Sequence, residues 1–151
     1  MKRGLSVAIS ALTLIFLQTA VFCPAAGAAG PYAQYLSVAD VEKATGMKGL
    51  TMKEKPATLE FYSAGGTKIL EAVFSGPNFY NTEVGTNSKN FESIAGVGEK
   101  AALGVPNMPF HLVFVKGMHC VVLQTLPGRD GKLPVAKDQL IAIGKIMAGR
   151  L

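Results

Sequence analysis

The chain has 151 residues, 15 Lys+Arg against 10 Asp+Glu, a formal charge of +5, and 49% hydrophobic residues. That length suits one domain, and the composition is too apolar for a disordered chain. Two Cys are too few for a disulfide scaffold, and no run of like charges suggests a nucleic-acid arm.

Lys2 and Arg3 open the chain, followed by an apolar stretch over residues 5–22 and then Pro24 and small residues to Gly30. A basic start, an apolar centre and a small-residue exit describe a secretory signal peptide. Ala26-Gly27-Ala28 is the best cleavage motif, which predicts a leader at 1–28 and a single α+β extracytoplasmic domain at 29–151, periplasmic or secreted. The competing reading is an uncleaved anchor, although the run falls short of the ~20 apolar residues a span needs. It is the only route to a membrane. Cys23 follows the bulky Phe22, where a lipoprotein signal has a small residue. Cleavage leaves Cys120 as the single Cys and lowers the charge to +3, so no internal disulfide can form and the apolar core must supply the stability. The remaining Lys are scattered, so nucleic acid is not an expected partner.

Leu36-Ser37-Val38-Ala39-Asp40-Val41 reads as a helix start. Ser37 is the N-cap, Asp40 completes a capping box, and Leu36 and Val41 occupy the positions of a hydrophobic staple. Gly46 is the expected stop. Residues 50–53 alternate weakly before Pro56 interrupts. Residues 58–62 and 68–74 read as strands joined through Gly65-Gly66. That register places Phe61 opposite Leu70, Leu59 opposite Ala72, and Glu60 opposite Glu71. The like charges favour solvent exposure or a shifted register over a bridging cation.

Over residues 76–89, Pro77-Asn78 suits the opening of a short helix through Phe79, Tyr80 and Val84, before a loop at residues 85–88. Residues 91–95 and 100–103 are expected as short strands around Gly96-Val97-Gly98-Glu99. Residues 110–115 and 118–123 form a second hairpin turning at Lys116-Gly117. Leu112, Phe114, Val121 and Leu123 share one face, and Val113, Val115, Cys120 and Val122 share the other. Both faces are apolar, which belongs to strands buried on both sides. The chain ends in a helix over residues 134–150 with Ala136, Leu140, Ile143, Met147 and Leu151 in one stripe. Strands between terminal helices predict an α+β fold: a single antiparallel sheet of about five to seven strands, with an N-terminal and a C-terminal helix packed on it.

The segment Gly96-Val97-Gly98-Glu99-Lys100-Ala101 lacks the spacing of a phosphate loop, so its glycines are read as a turn. "GVGEKA", the apolar hairpin "HLVFVKGMHCVVLQ", the ending "KIMAGRL" and the opening "LSVADVEKATG" together resemble a loose class of small exported bacterial proteins and lipoprotein domains of unknown function. Members carry a G-x-G-[DE]-x-A turn before such a hairpin and helix. The resemblance implies an α+β extracytoplasmic domain and carries no catalytic residues.

His111, His119 and Cys120 are the strong soft donors of the mature chain. With Lys116-Gly117 as the turn, His111 and Cys120 are diagonal neighbours on one face, about 7–8 Å apart, and His119 points to the other. Three donors therefore do not converge, whereas a tetrahedral metal site wants four. Met108 and Met118 add donors suited to copper or haem, but C-x-x-C-H is absent. No G-x-S-x-G or H-E-x-x-H occurs. The expected function is a non-catalytic binding or accessory domain for a partner protein or a small apolar ligand, with no cofactor. Its face is Val113, Val115 and Val122 with Phe79 and Tyr80, covered by residues 76–90, a ligand or a second copy of the chain. The alternatives are a thiol-dependent or hydrolytic enzyme using Cys120 and His111, and a periplasmic metal-handling protein using His111, His119 and Cys120.

Overall fold

A computed structural model describes residues 30–105, 110–128 and 130–151. The leader expected at residues 1–28 and the candidate donor Met108 lie outside the described residues. Among the described residues no helix is long and apolar enough to cross a membrane.

Local chemistry sets the first helix, α1 (Val38–Thr45). Ser37 Oγ accepts the Asp40 N–H at 3.2 Å, and Asp40 Oδ2 accepts the Ser37 N–H at 2.9 Å. Leu36 and Val41 are both buried, and Gly46 ends the helix in the left-handed conformation at φ 76°. The cap satisfies backbone donors that a helix start leaves open. Ser37→Ala is therefore expected to cost about 0.5–2 kcal/mol in denaturant unfolding, and Ser37→Gly only a few tenths. Equal tolerance of the two would contradict the cap.

Seven strands follow: β1 (Thr51–Lys55), β2 (Thr58–Tyr62), β3 (Lys68–Ser75), β4 (Phe91–Ile94), β5 (Lys100–Gly104), β6 (His111–Lys116) and β7 (His119–Thr125). They form one antiparallel sheet in the order β1-β2-β3-β7-β6-β5-β4. Pro56, read from sequence as an interruption, lies with Ala57 in the turn between β1 and β2. The β2–β3 register is the expected one from Thr58 to Phe61. Tyr62 then pairs with Lys68, which leaves Ile69 as the extra residue of a bulge.

The β6–β7 hairpin departs from expectation by two residues. Lys116 pairs with His119, Val115 with Cys120 and Val113 with Val122. The turn is Gly117-Met118, with Gly117 at φ 55°. A type II′ turn requires a positive φ at its first central position, and glycine supplies it there. Lys116 in that position would be strained. A shift of two preserves the side-chain alternation, so the predicted face memberships survive while the cross-strand partners change.

The final helix, α2 (Lys137–Ala148), starts later than Pro134. Ala136 is extended and its N–H donates to Gln139 Oε1 at 2.8 Å. Ala136 is exposed, and Val135 is buried instead. Leu140, Ile143 and Met147 are fully buried, and α2 lies against β6 and β7. They share a core with Phe61, Leu103, Leu112, Phe114 and Leu123. α1 runs beside α2. Gln139 Nε2 donates to the Thr45 carbonyl at 3.1 Å, and Arg150 grips Asp40 at 2.6 and 2.8 Å. That guanidinium holds the Asp40 carboxyl well below the usual carboxylate range.

Candidate functional site

The sheet face away from α2 has an apolar half and a charged half. On the apolar half, Ala102 of β5, Val113 and Val115 of β6, and Cys120 and Val122 of β7 form a second buried cluster. Tyr80 belongs to it, and Phe79 and Val84 pack against it. These come from a helical segment whose centre, Asn81–Gly85, is a π-turn, followed by a 3-10 turn at Ser88–Asn90. Lys100 fastens this cover. Its Nζ lies 4.2 Å over the Tyr80 ring and donates to Asn81 Oδ1 at 3.1 Å. The structure thus brings together all five residues of the expected binding face, and the chain's own residues 76–90 lie on it.

His111 and Cys120 share this face but are not neighbours. Cys120 pairs with Val115, and His111 pairs with Gln124. Four residues along β6 separate them, about 13 Å at ~3.3 Å per residue. The expected diagonal contact is therefore corrected by the two-residue register difference. His119 points to the opposite face, its ring 6.0 Å from Tyr35 and 6.4 Å from Phe74. Met118 sits in the turn and is 76% exposed. Among the described residues no group of three or more His, Cys, Asp or Glu could hold a metal ion.

The electrostatics of the pair point away from nucleophilic chemistry. Cys120 is fully buried, and burial, reinforced by the charge of Glu83, pushes its thiol up to about 11. At neutral pH it is a protonated thiol, not the thiolate that attacks substrates or metals. Burial pulls the His111 imidazole below its usual range, and Glu83 partly opposes the shift. His111 Nδ1 is buried with no hydrogen-bond partner among the described residues. The ring packs against Phe110 at 4.7 Å and Phe91 at 6.5 Å.

The charged half carries the pair that was misjudged from sequence. Glu60 and Glu71 are opposite each other, in the unshifted register, yet the Glu60 side chain is only 6% exposed. Lys68 Nζ bridges the two, at 3.2 Å to Glu60 Oε1 and 2.5 Å to Glu71 Oε2. Lys55 Nζ lies 2.9 Å from Glu60 Oε2, and the Tyr62 hydroxyl donates to that same oxygen at 2.8 Å. The bulge at Ile69 brings Lys68 into register with Tyr62, beside both carboxylates. Lys55, Tyr62 and Lys68 together lower the Glu60 pKa to about 2. Because the folded-state value is depressed, this stabilisation is present above the ordinary pKa of 4.5 and lost as pH falls from there to about 2. The loss is expected to be about 1–2 kcal/mol, since Lys55 and Lys68 carry their charges where solvent screens them. Unfolding titrations between those pH values should show it, and Glu60→Gln should flatten that part of the profile.

A separate cavity of about 270 Å³ lies beside the edge strand β1, lined by Gly30, Pro31, Tyr32, Glu54, Lys55 and Pro56. Sequence reasoning missed it. Tyr32 and Tyr35 precede Leu36 in the same N-terminal stretch. Both aromatic rings pack on Phe74, Tyr32 in a stack at 4.2 Å and Tyr35 tilted at 6.0 Å. Comparison of the chain with protein-family models, with curated proteins and with solved structures returned no match.

Proposed function

We propose that this chain is a non-catalytic accessory domain of the extracytoplasmic space that works by binding a protein partner. The carrying observation is the apolar strip of Val113, Val115, Cys120 and Val122, capped by the chain's own Phe79 and Tyr80. That capping fills the place a small apolar ligand would take on the strip, so a protein partner would meet the outer side of the cover, where Phe79 and Val84 are half-buried. The enzyme reading requires Cys120 and His111 to act together, and they lie four positions apart in register, about 13 Å along the sheet. The metal-handling reading requires His111, His119 and Cys120 on one side, and His119 faces Tyr35 and Phe74 instead. The leader at 1–28 and the resemblance to small exported domains support the location. On this reading α1 completes the covered face of the sheet beside α2.

Thiol labelling tests the non-catalytic part of this reading. Ellman's reagent at neutral pH should leave Cys120 unmodified in the folded protein and react fully once denaturant unfolds it, because labelling requires a thiolate in reach of solvent. Rapid stoichiometric labelling of the native protein would overturn the non-catalytic reading.

A further inference from the structure

Glu54 on β1 is a carboxylate with two backbone partners and no cation among the described residues. Its Oε1 accepts the Tyr32 N–H at 2.9 Å and its Oε2 accepts the Ala33 N–H at 3.2 Å. A carboxylate accepts about four hydrogen bonds, so one acceptor position remains on each oxygen. The neighbouring Lys55 does not supply the charge, since its ammonium is committed to Glu60. Gly30 lies directly against the Glu54 carboxylate, and a Cβ there would require that side chain to move aside. The cavity on Glu54 is walled by Gly30, Pro31, Tyr32, Pro56 and Lys55, the last with its ammonium turned to Glu60.

These walls define the occupant. An anion is repelled by Glu54. A wholly apolar guest would strip water from the carboxylate and offer nothing in exchange. A guanidinium fork could use the one position left on each oxygen, so it is the competing cation, but the cation this chain itself would bring closest is an α-ammonium. A primary ammonium is a point donor with three N–H groups, and it forms charge-assisted bonds from one position. Proline and tyrosine surfaces suit the short alkyl segment behind it. We propose that this cavity binds a primary ammonium group, with Glu54 as its counter-ion.

Two sources supply that chemistry. One is the chain's own α-ammonium: cleavage before Ala29, on which this source alone rests, creates a positive charge one residue from Gly30, where successive Cα atoms are ~3.8 Å apart. The other is an amine from outside, as on a lysine side chain.

The test uses protein recovered after export, its start fixed by intact mass, and followed by NMR with n-butylammonium as the added probe. With the own terminus in the cavity, the α-amine titrates at least about half a pH unit above the ordinary 7.7–8.0, returns to it in Glu54→Gln, and butylammonium has no effect. With an outside amine, the α-amine is ordinary and butylammonium shifts the Glu54 signals saturably at millimolar concentration, an effect lost in Glu54→Gln. If mass shows a retained leader, the cleavage reading fails by itself and the butylammonium arm decides alone. If Glu54→Gln does not fold, the Glu54 carboxyl resonance of the wild-type protein gives the same readout. An ordinary α-amine together with no saturable response to butylammonium overturns the proposal.

Discussion

Leu140→Ala is expected to destabilise the protein by about 2–5 kcal/mol. Leu140 is fully buried on α2, in the core that also holds Leu112, Phe114 and Leu123 of the central hairpin. Truncation removes apolar atoms from a filled site, and a neighbouring point of close approach limits how far the helix can settle into the gap. At Gly144, a Cβ would lie within 2.7 Å of Leu112 Cδ2, so helix and sheet are already in tight contact one turn further on. Denaturant unfolding measures the loss. A change below ~0.5 kcal/mol, typical of surface positions, would mean that α2 is not the cover of this face.

Gly98→Ala should cost a similar amount, about 2–5 kcal/mol, through a different mechanism. Gly98 has φ 60°, and a Cβ there would meet the Val115 carbonyl oxygen at 2.3 Å. The left-handed conformation alone costs about 1–2 kcal/mol for a residue with a side chain. The collision adds to it, because the atom in the way is backbone and cannot rotate aside. That same carbonyl accepts the Glu99 N–H at 2.8 Å, so retreating from the clash breaks the bond that joins the turn to β6. Gly96→Ala is the control. It has φ 81° and only Lys145 Cε within reach, at 3.7 Å, so it should show the conformational cost without the clash. Equal losses at both glycines would mean that the close approach to Val115 contributes nothing.

The glycine-rich turn shows what the sequence made legible. Two glycines around a buried Val97 are interpretable from local rules, as are the capping box of α1 and the register of Leu59 and Phe61 against β3. In each case the determining residues lie within a few positions of one another. The β6–β7 register was not legible, because Lys116-Gly117 and Gly117-Met118 differ only in which turn position the glycine takes, and both keep the apolar faces aligned. Nor was the fate of Glu60. Its partners Lys55 and Lys68 come from two other strands, and a bulge that no residue type announces sets the position of Lys68. The candidate site was half legible. Membership of the apolar face could be read from alternation, but its cover depended on how an irregular segment returns over the sheet. The cavity at Glu54 joins an N-terminal stretch to an edge strand, a pairing without local signature.

The strand order also carries a kinetic meaning. β1, β2 and β3 run consecutively, as do β4, β5, β6 and β7, so every pairing but one joins strands adjacent in the chain. The exception is β3 with β7, from Leu70 opposite Thr125 to Ser75 opposite Cys120. Closing that seam requires the intervening chain to form a loop, and the entropy lost in closing it must be met before the contacts reward it. Two locally wound halves can therefore assemble early, with the seam as the slow event that makes them one cooperative unit. The segment spanning residues 76–90 lies inside that loop. It leads from the end of β3 at Ser75 to the start of β4 at Phe91, so the cover over the Cys120 thiol is drawn from the same stretch of chain that the seam closes.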